Sequence, residues 1–311
     1  MEKYAFGVDV GGTTIKIGLF DMQGEIETKW EVQTRTESHG ENILPDIAKS
    51  ILSKCKELGI DKDDVLGIGI GVPGPVDVDG IVYGAVNLGW GTIDIPGAMF
   101  ELTEMRTMAG NDANVAALGE MWKGGGIGHK DIIAVTLGTG VGGGIIVNGE
   151  ILAGAVGAAG EIGHIHVEDQ EKEKCGCGNK GCLEQFTSAT GIVKLAKRHL
   201  KETDAPSILR EGAITAKSVF DAVKEKDPMA IEIAEEFGEY LGKALATVAA
   251  VVNPEIFVIG GGVSKAGPVL LTFIEKNFKK HVFKGCKDTE FALATLGNDA
   301  GINGAVRMIM N

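Results

Sequence analysis

The chain opens with two apolar runs, "YAFGVDVGG" and "TTIKIGLFD", rich in β-branched side chains and joined at a Gly-Gly turn, which predicts a pair of strands. "EIETKWEVQT" alternates polar and apolar positions and predicts a third strand. The period then changes. In "NILPDIAKSILSKCKELG" apolar residues recur at helical spacing and a glycine closes the run, the pattern of an amphipathic helix. "VLGIGIGVPGPV" reads as a buried strand entering a Gly/Pro turn, and "NDANVAALGEMWKGGG" as a helix with a polar start and a glycine-rich end. "DIIAVTLGTGVGGGIIVNGEIL" repeats the strand, glycine-rich turn and strand of the opening segment. A long helical stretch, "DPMAIEIAEEFGEYLGKALATVAAVVNP", ends at Pro254 and leads into the strand "EIFVIGGGVS". Strands alternating with helices favour layered α/β architecture. The recurrence of one unit predicts two related lobes with a cleft between them. The first lobe is expected to span residues 1–114 together with a final helix at 299–311, and the second residues 115–298.

Composition narrows this picture. A chain of 311 residues has room for two ordinary domains, and 44% hydrophobic with 23% charged residues is the balance of a soluble globular protein. The 47 glycines are about twice the usual frequency. They cluster at strand ends, so they mark local devices rather than low complexity. A net charge of −13 excludes a nucleic-acid face, which needs concentrated lysine and arginine. With no signal peptide and no membrane-spanning run in the sequence, a cytoplasmic location with reduced thiols is expected for the five cysteines, of which Cys55 and Cys286 stand apart.

Three glycine-rich turns point to a nucleotide. "DVGGTTIK" offers Asp9, Gly11, Gly12, Thr13, Thr14 and Lys16: glycines admit a phosphate close to backbone N–H donors, and the threonine hydroxyls add more. Asp9, at a strand end, suits a Mg²⁺ that keeps most of its waters. An ordinary type I′ hairpin turn explains Gly-Gly equally well. The repeat of the design in "TLGTGVGGG", with Gly138, Thr139, Gly140, Gly142 and Gly143, favours one nucleotide held by both. Neither stretch matches a P-loop or a dinucleotide fingerprint. Gly261 and Gly262, in a third turn at a strand end, suit an adenosine.

Two further segments carry acids and sulfur. Asn111 and Asp112 stand where a helix begins; either caps the helix, and Asp112 also suits a general base for an alcohol in phosphoryl transfer. "AAGEIGHIHV" and "CGCGNKGCLE" supply His164, Cys175, Cys177 and Cys182, a Cys₃His set proper to closed structural Zn²⁺, with free thiols or a redox pair as the alternatives. The loop presents Glu161 and Glu184, with the second ring nitrogen of His164, to a ligand rich in hydroxyls, for which a sugar is the natural candidate. The charged run "EDQEKEK" between His164 and Cys175 reads as solvated surface, and His166 as a core or supporting residue.

Taken together and in order, "DVGGTTIK", "GVPGPV", "NLGW", "NDANVAALGEMW", "TLGTGVGGG", "GAAGEIGHIHV", "CGCGNKGCLE" and "VIGGGVS" resemble the ROK family of bacterial sugar kinases along essentially the whole chain. The resemblance implies the duplicated actin-like ATPase (ribonuclease H-like) fold. It also implies transfer of the γ-phosphate of ATP, with Mg²⁺, to the 6-hydroxyl of a hexose, with lobe closure excluding water. By the same resemblance Asp112 is the base, Asn111, Glu161, His164 and Glu184 hold the sugar with Asn87 of "NLGW" beside them, and His164, Cys175, Cys177 and Cys182 bind zinc. Glucose is the expected substrate, with N-acetylglucosamine, N-acetylmannosamine or fructose as alternatives, and a homodimer is expected from the family. The family's sugar-sensing repressors carry a helix-turn-helix before the first phosphate turn, for which Asp9 leaves no room.

Overall fold

The computed structural model describes residues 3–311, which divide into two compact units. One holds the chain up to Lys130, then Gly144–Gly160 and Leu296–Asn311; the other holds Asp131–Gly143 and Glu161–Thr295. The fold is mixed α/β, and none of the described helices is long and apolar enough to cross a membrane.

The first unit is built on strands β1 (Tyr4–Val10), β2 (Thr14–Asp21) and β3 (Ile26–Gln33), helix α1 (Ile43–Leu58), strands β4 (Val65–Val72), β5 (Ile81–Ala85) and β6 (Trp90–Asp94), helix α2 (Ile95–Thr103), strand β7 (Thr107–Asn111) and helix α3 (Asp112–Lys123). Its sheet has the order β3-β2-β1-β4-β7, with the hairpins antiparallel and β4 parallel to both β1 and β7. Strand periodicity gives that sheet two apolar faces. Phe6, Val8, Ile15 and Ile17 pack with Ile47 and Ile51 of α1, while Ala5 and Phe20 face the opposite way. Helix α1 ends as its sequence predicts, with Gly59 in the left-handed conformation at its C-cap.

The chain continues through β8 (Ile132–Leu137), β9 (Val141–Val147), β10 (Glu150–Ile151), α4 (Glu184–Thr187), α5 (Ala189–Glu202), α6 (Ala216–Lys224), α7 (Pro228–Val252), β11 (Ile256–Gly260), α8 (Pro268–His281), β12 (Glu290–Leu293) and α9 (Ala300–Met310). The second sheet has the order β10-β9-β8-β11-β12. Its centre is parallel: β11 pairs with both β8 and β12. Phe257 of β11 packs edge-on to Phe278 of α8, with centroids 5.8 Å apart.

Helix α9 returns the chain to the first unit. Ile302, Val306 and Ile309 cover Ala5 and Phe20 on the sheet face opposite α1. The approach is unusually close because glycines line it: a Cβ on Gly7 would lie 2.2 Å from the Ile302 carbonyl oxygen, and one on Gly69 1.8 Å from that of Ala305. Against α3 the same logic holds in reverse, since a Cβ on Gly304 would lie 1.7 Å from the Val115 carbonyl oxygen.

Candidate active site

In the first unit the Gly11–Gly12 turn after β1 and Asn111 at the end of β7 lie at the carboxyl ends of strands, where open α/β sheets bind ligands. Gly11 and Gly12 form the β1–β2 turn, closed by the Gly11 amide donating to the Thr14 carbonyl at 3.1 Å. Neither glycine has a positive φ, so the type I′ alternative does not apply. Thr34 ties the turn down: its Oγ1 donates to the Gly11 carbonyl at 2.6 Å and its amide to the Thr13 carbonyl at 2.9 Å. Gly12 has open space where a Cβ would stand, which leaves its backbone free for close approach.

Asp9 lies on β1 at the foot of this turn. Burial pushes its carboxyl up, and Lys16, with Nζ 3.9 Å from Oδ2, partly counters that. Lys16 also donates to the Asn298 carbonyl at 3.2 Å. A single strand-end carboxylate with open backbone beside it fits a Mg²⁺ held through few protein ligands.

Asn111 closes β7 and caps α3. Its Oδ1 accepts from the amides of Ala113 (3.0 Å) and Asn114 (3.2 Å), and its Nδ2 donates to the Gly74 carbonyl at 3.1 Å. The N-cap expectation is therefore met by Asn111. Asp112 follows as the first helical residue, with Oδ1 accepting the Ala113 amide at 2.8 Å, so its carboxylate stands at the positive end of α3. Asn87 lies exposed in the short turn Val86–Leu88, which is anchored by buried Leu88 and by Trp90 donating to the Gly40 carbonyl at 3.1 Å.

In the second unit the Cys₃His set converges: the donor atoms of His164, Cys175, Cys177 and Cys182 all lie within 4.8 Å of one another. Cys175 Sγ is 3.6 Å from His164 Nδ1, and Cys177 Sγ is 3.6 Å from Cys182 Sγ. A tetrahedral zinc with bonds of about 2.3 Å separates its sulfurs by about 3.8 Å, so the donor set fits that ion. Burial pushes the Cys175 and Cys182 thiols up, the latter to about 12, whereas the Asn179 amide lowers Cys177. Thiols gathered this closely do not all ionise unless a cation neutralises them.

With Nδ1 on the sulfur side, His164 turns Nε2 towards Glu161, 3.9 Å from Oε2. Glu184 opens α4 and meets the same cluster, its Oε1 accepting from Cys175 Sγ at 3.5 Å. Six of the residues expected to serve the sugar and the metal thus lie in one group: Glu161, His164, Cys175, Cys177, Cys182 and Glu184.

The charged run is not simply solvated. The side chain of Glu171 is 9% exposed and pairs with Lys194 at 2.7 Å; Glu173 takes the same ammonium at 2.8 Å. Gln185 spans the loop, donating to the Glu173 carbonyl and accepting from the Cys182 amide, both at 3.1 Å. His166 is exposed rather than core, its ring lying between Asp169 (2.8 Å) and the Lys180 carbonyl (3.0 Å). Lys194 and Gln185 had no signal in the sequence, because their partners are distant along the chain or belong to the backbone.

The second glycine-rich turn is shorter than its sequence suggests. Gly138–Gly140 form it, closed by the Gly138 amide donating to the Gly140 carbonyl at 2.9 Å, while Gly142 and Gly143 already belong to β9. Gly261 follows β11 with φ +84°, and a Cβ there would lie 2.4 Å from the Leu137 carbonyl oxygen, so only glycine fits beside the end of β8. Gly262 has open space around it. The turns expected to take the adenosine and the phosphates therefore stand side by side at the ends of two paired parallel strands.

The ROK family profile matches residues 5–311. The chain belongs to the ROK family. A glucokinase of Halalkalibacterium halodurans is 44% identical to it over 309 residues, 97% of this chain and 94% of the relative. A glucokinase of Thermotoga maritima is 35% identical, covering 97% of this chain and 96% of its own. Among solved structures, a ROK family glucokinase from Streptomyces griseus in complex with glucose and AMPPNP superposes with a TM-score of 0.74 at 34% identity, covering 98% of each chain. The actin-like ATPase fold of the ROK structures is thus the fold of this chain, as its sequence motifs imply.

Proposed function

We propose that this sugar kinase transfers the γ-phosphate of ATP to the 6-hydroxyl of glucose, giving glucose 6-phosphate. The full-length similarity to glucokinases carries this reading, and the grouping of two carboxylates and an imidazole beside a Cys₃His set supports it, because carboxylates are strong acceptors for sugar hydroxyls.

In this reading Asp112 takes the proton of the 6-hydroxyl as the oxygen attacks phosphorus. The Ala113 amide holds its Oδ1. Asn87, Asn111, Glu161, His164 and Glu184 hold the remaining hydroxyls. The amides and threonines of the turns at Gly11–Thr14 and Gly138–Gly140 receive the phosphates, with Lys16 beside them, and Gly261 and Gly262 receive the adenosine. Asp9 would hold Mg²⁺, which when bound balances charge developing on the transferring phosphoryl group. His164, Cys175, Cys177 and Cys182 would hold zinc as a closed structural site, fixing the loop that carries Glu161 and Glu184. The lobe division expected from sequence, a homodimer and a cytoplasmic location belong to the same proposal.

The test is ADP release from Mg-ATP against glucose, mannose, fructose, N-acetylglucosamine and N-acetylmannosamine. Turnover with glucose well above the others is expected. Preference for an N-acetyl sugar would move the substrate and keep the chemistry, and no turnover with zinc-loaded protein would overturn the enzyme reading.

A further inference from the structure

Glu184 does more than face the Cys₃His cluster. While Oε1 meets Cys175, its Oε2 accepts the amide of Val141 at 3.0 Å, at the exit of the second glycine-rich turn. The turn leaves room for this: a Cβ on Gly140 would lie 2.1 Å from the same oxygen. The segment that follows Glu184 holds the turn twice more. The Ala189 amide donates to the Gly138 carbonyl at 2.8 Å, and Thr190 Oγ1 donates to the Thr139 carbonyl at 3.1 Å. Ser188 fixes that end of α5, accepting the Gly191 amide at 3.0 Å and lying 2.9 Å from Thr190 Oγ1.

A glycine-rich turn has the largest conformational entropy to lose and no Cβ atoms to wedge it in place. Its value as a phosphate cradle depends on amides that converge before the ligand arrives. Here the groups that fix it lie in residues 184–190. We propose that Glu184 is a positioning residue for the nucleotide: it shapes the Gly138–Gly140 turn to receive phosphate, independently of any sugar. One carboxylate would then serve two ligands, through a different oxygen for each. The inference rests on reading this turn as a phosphate turn.

The experiment is calorimetric binding of Mg-AMPPNP with no sugar present, to zinc-loaded wild type, Glu184→Ala, Glu184→Gln and Thr190→Val. Loss of one charge-assisted hydrogen bond should weaken nucleotide binding about tenfold in Glu184→Ala. Glu184→Gln keeps an acceptor for the Val141 amide and should recover most of that loss, although glucose binding suffers in both. Thr190→Val should weaken nucleotide binding about threefold and leave glucose affinity unchanged. Nucleotide affinity in Glu184→Ala equal to wild type would overturn the inference and leave the kinase reading standing. Wild type that binds no nucleotide would overturn the phosphate-turn reading itself. If Glu184→Ala does not fold, Thr190→Val decides: nucleotide affinity equal to wild type overturns the inference.

Discussion

Asp112 and Cys177 separate the two chemistries proposed for single residues. Asp112→Asn keeps the shape of the carboxylate and an acceptor for the Ala113 amide, and removes only the basic charge. Turnover should fall by about a thousandfold, within the usual range for a lost general base, while glucose binding by calorimetry stays within a few-fold of wild type. Cys177 is the exposed member of its cluster, so Cys177→Ser leaves the core alone. Elemental analysis should then find zinc well below one ion per chain, with glucose affinity reduced; full retention would remove Cys177 from the ligand set. The residue types of this cluster were legible in the sequence because three cysteines within one short loop have few other uses. The links from Glu184 to Val141 and from Lys194 to Glu171 were not, since nothing in a linear pattern records which amide or carboxylate a folded chain brings near.

Elements with a strong period were the ones that could be read. Helices α1 and α7 combine helical spacing with clear ends: Gly59 after the first, Asp227 before and Asn253 after the second. Strands β5, β6 and β7 and helix α2 gave no such signal, being short and interrupted by Gly84, Gly91, Gly110 and Gly97 respectively. The cap of α7 is itself a stability device. Burial alone would raise the Asp227 carboxyl, but the amides of Ala230 and Ile208 and the Ser207 hydroxyl outweigh it and hold the group below the usual range. A depressed carboxylate contributes stability that is fully present above its unfolded pKa of about 4 and is lost as pH falls through the lower folded value. Asp227→Ala should therefore cost about 2 kcal/mol in urea unfolding at neutral pH. The difference from wild type should shrink as pH falls below about 4, and a constant difference down to pH 2 would contradict the ionic origin.

At the scale of the whole molecule, the repeated strand-turn-strand segments announced two lobes and the final helix was expected on the first, but how closely that helix seats in the first unit was not legible. That unit takes residues from three stretches of chain, the last of which is α9. Its seat on β1 and β4 depends on glycines in contact with another backbone, a kind of complementarity that hydrophobic patterning does not register. Gly69→Ala should be far costlier than an ordinary glycine substitution in a strand, since neither the Cβ nor the Ala305 carbonyl, 1.8 Å apart, has anywhere to go. A loss of about 3 kcal/mol is expected by chemical denaturation, whereas Gly12→Ala, in open space, should leave stability nearly unchanged.

The position of α9 also bears on how the protein is made. Ala5 and Phe20 leave the ribosome early, yet the helix that covers them, with Ile302, Val306 and Ile309, is synthesised almost three hundred residues later. At bacterial-scale elongation rates of about 5–20 residues per second, that apolar sheet face waits on the order of fifteen seconds or more for its partner. During that interval the nascent chain offers an uncovered β-surface to solvent and to neighbouring chains, which makes this stretch a natural client for chaperones that bind exposed apolar strands.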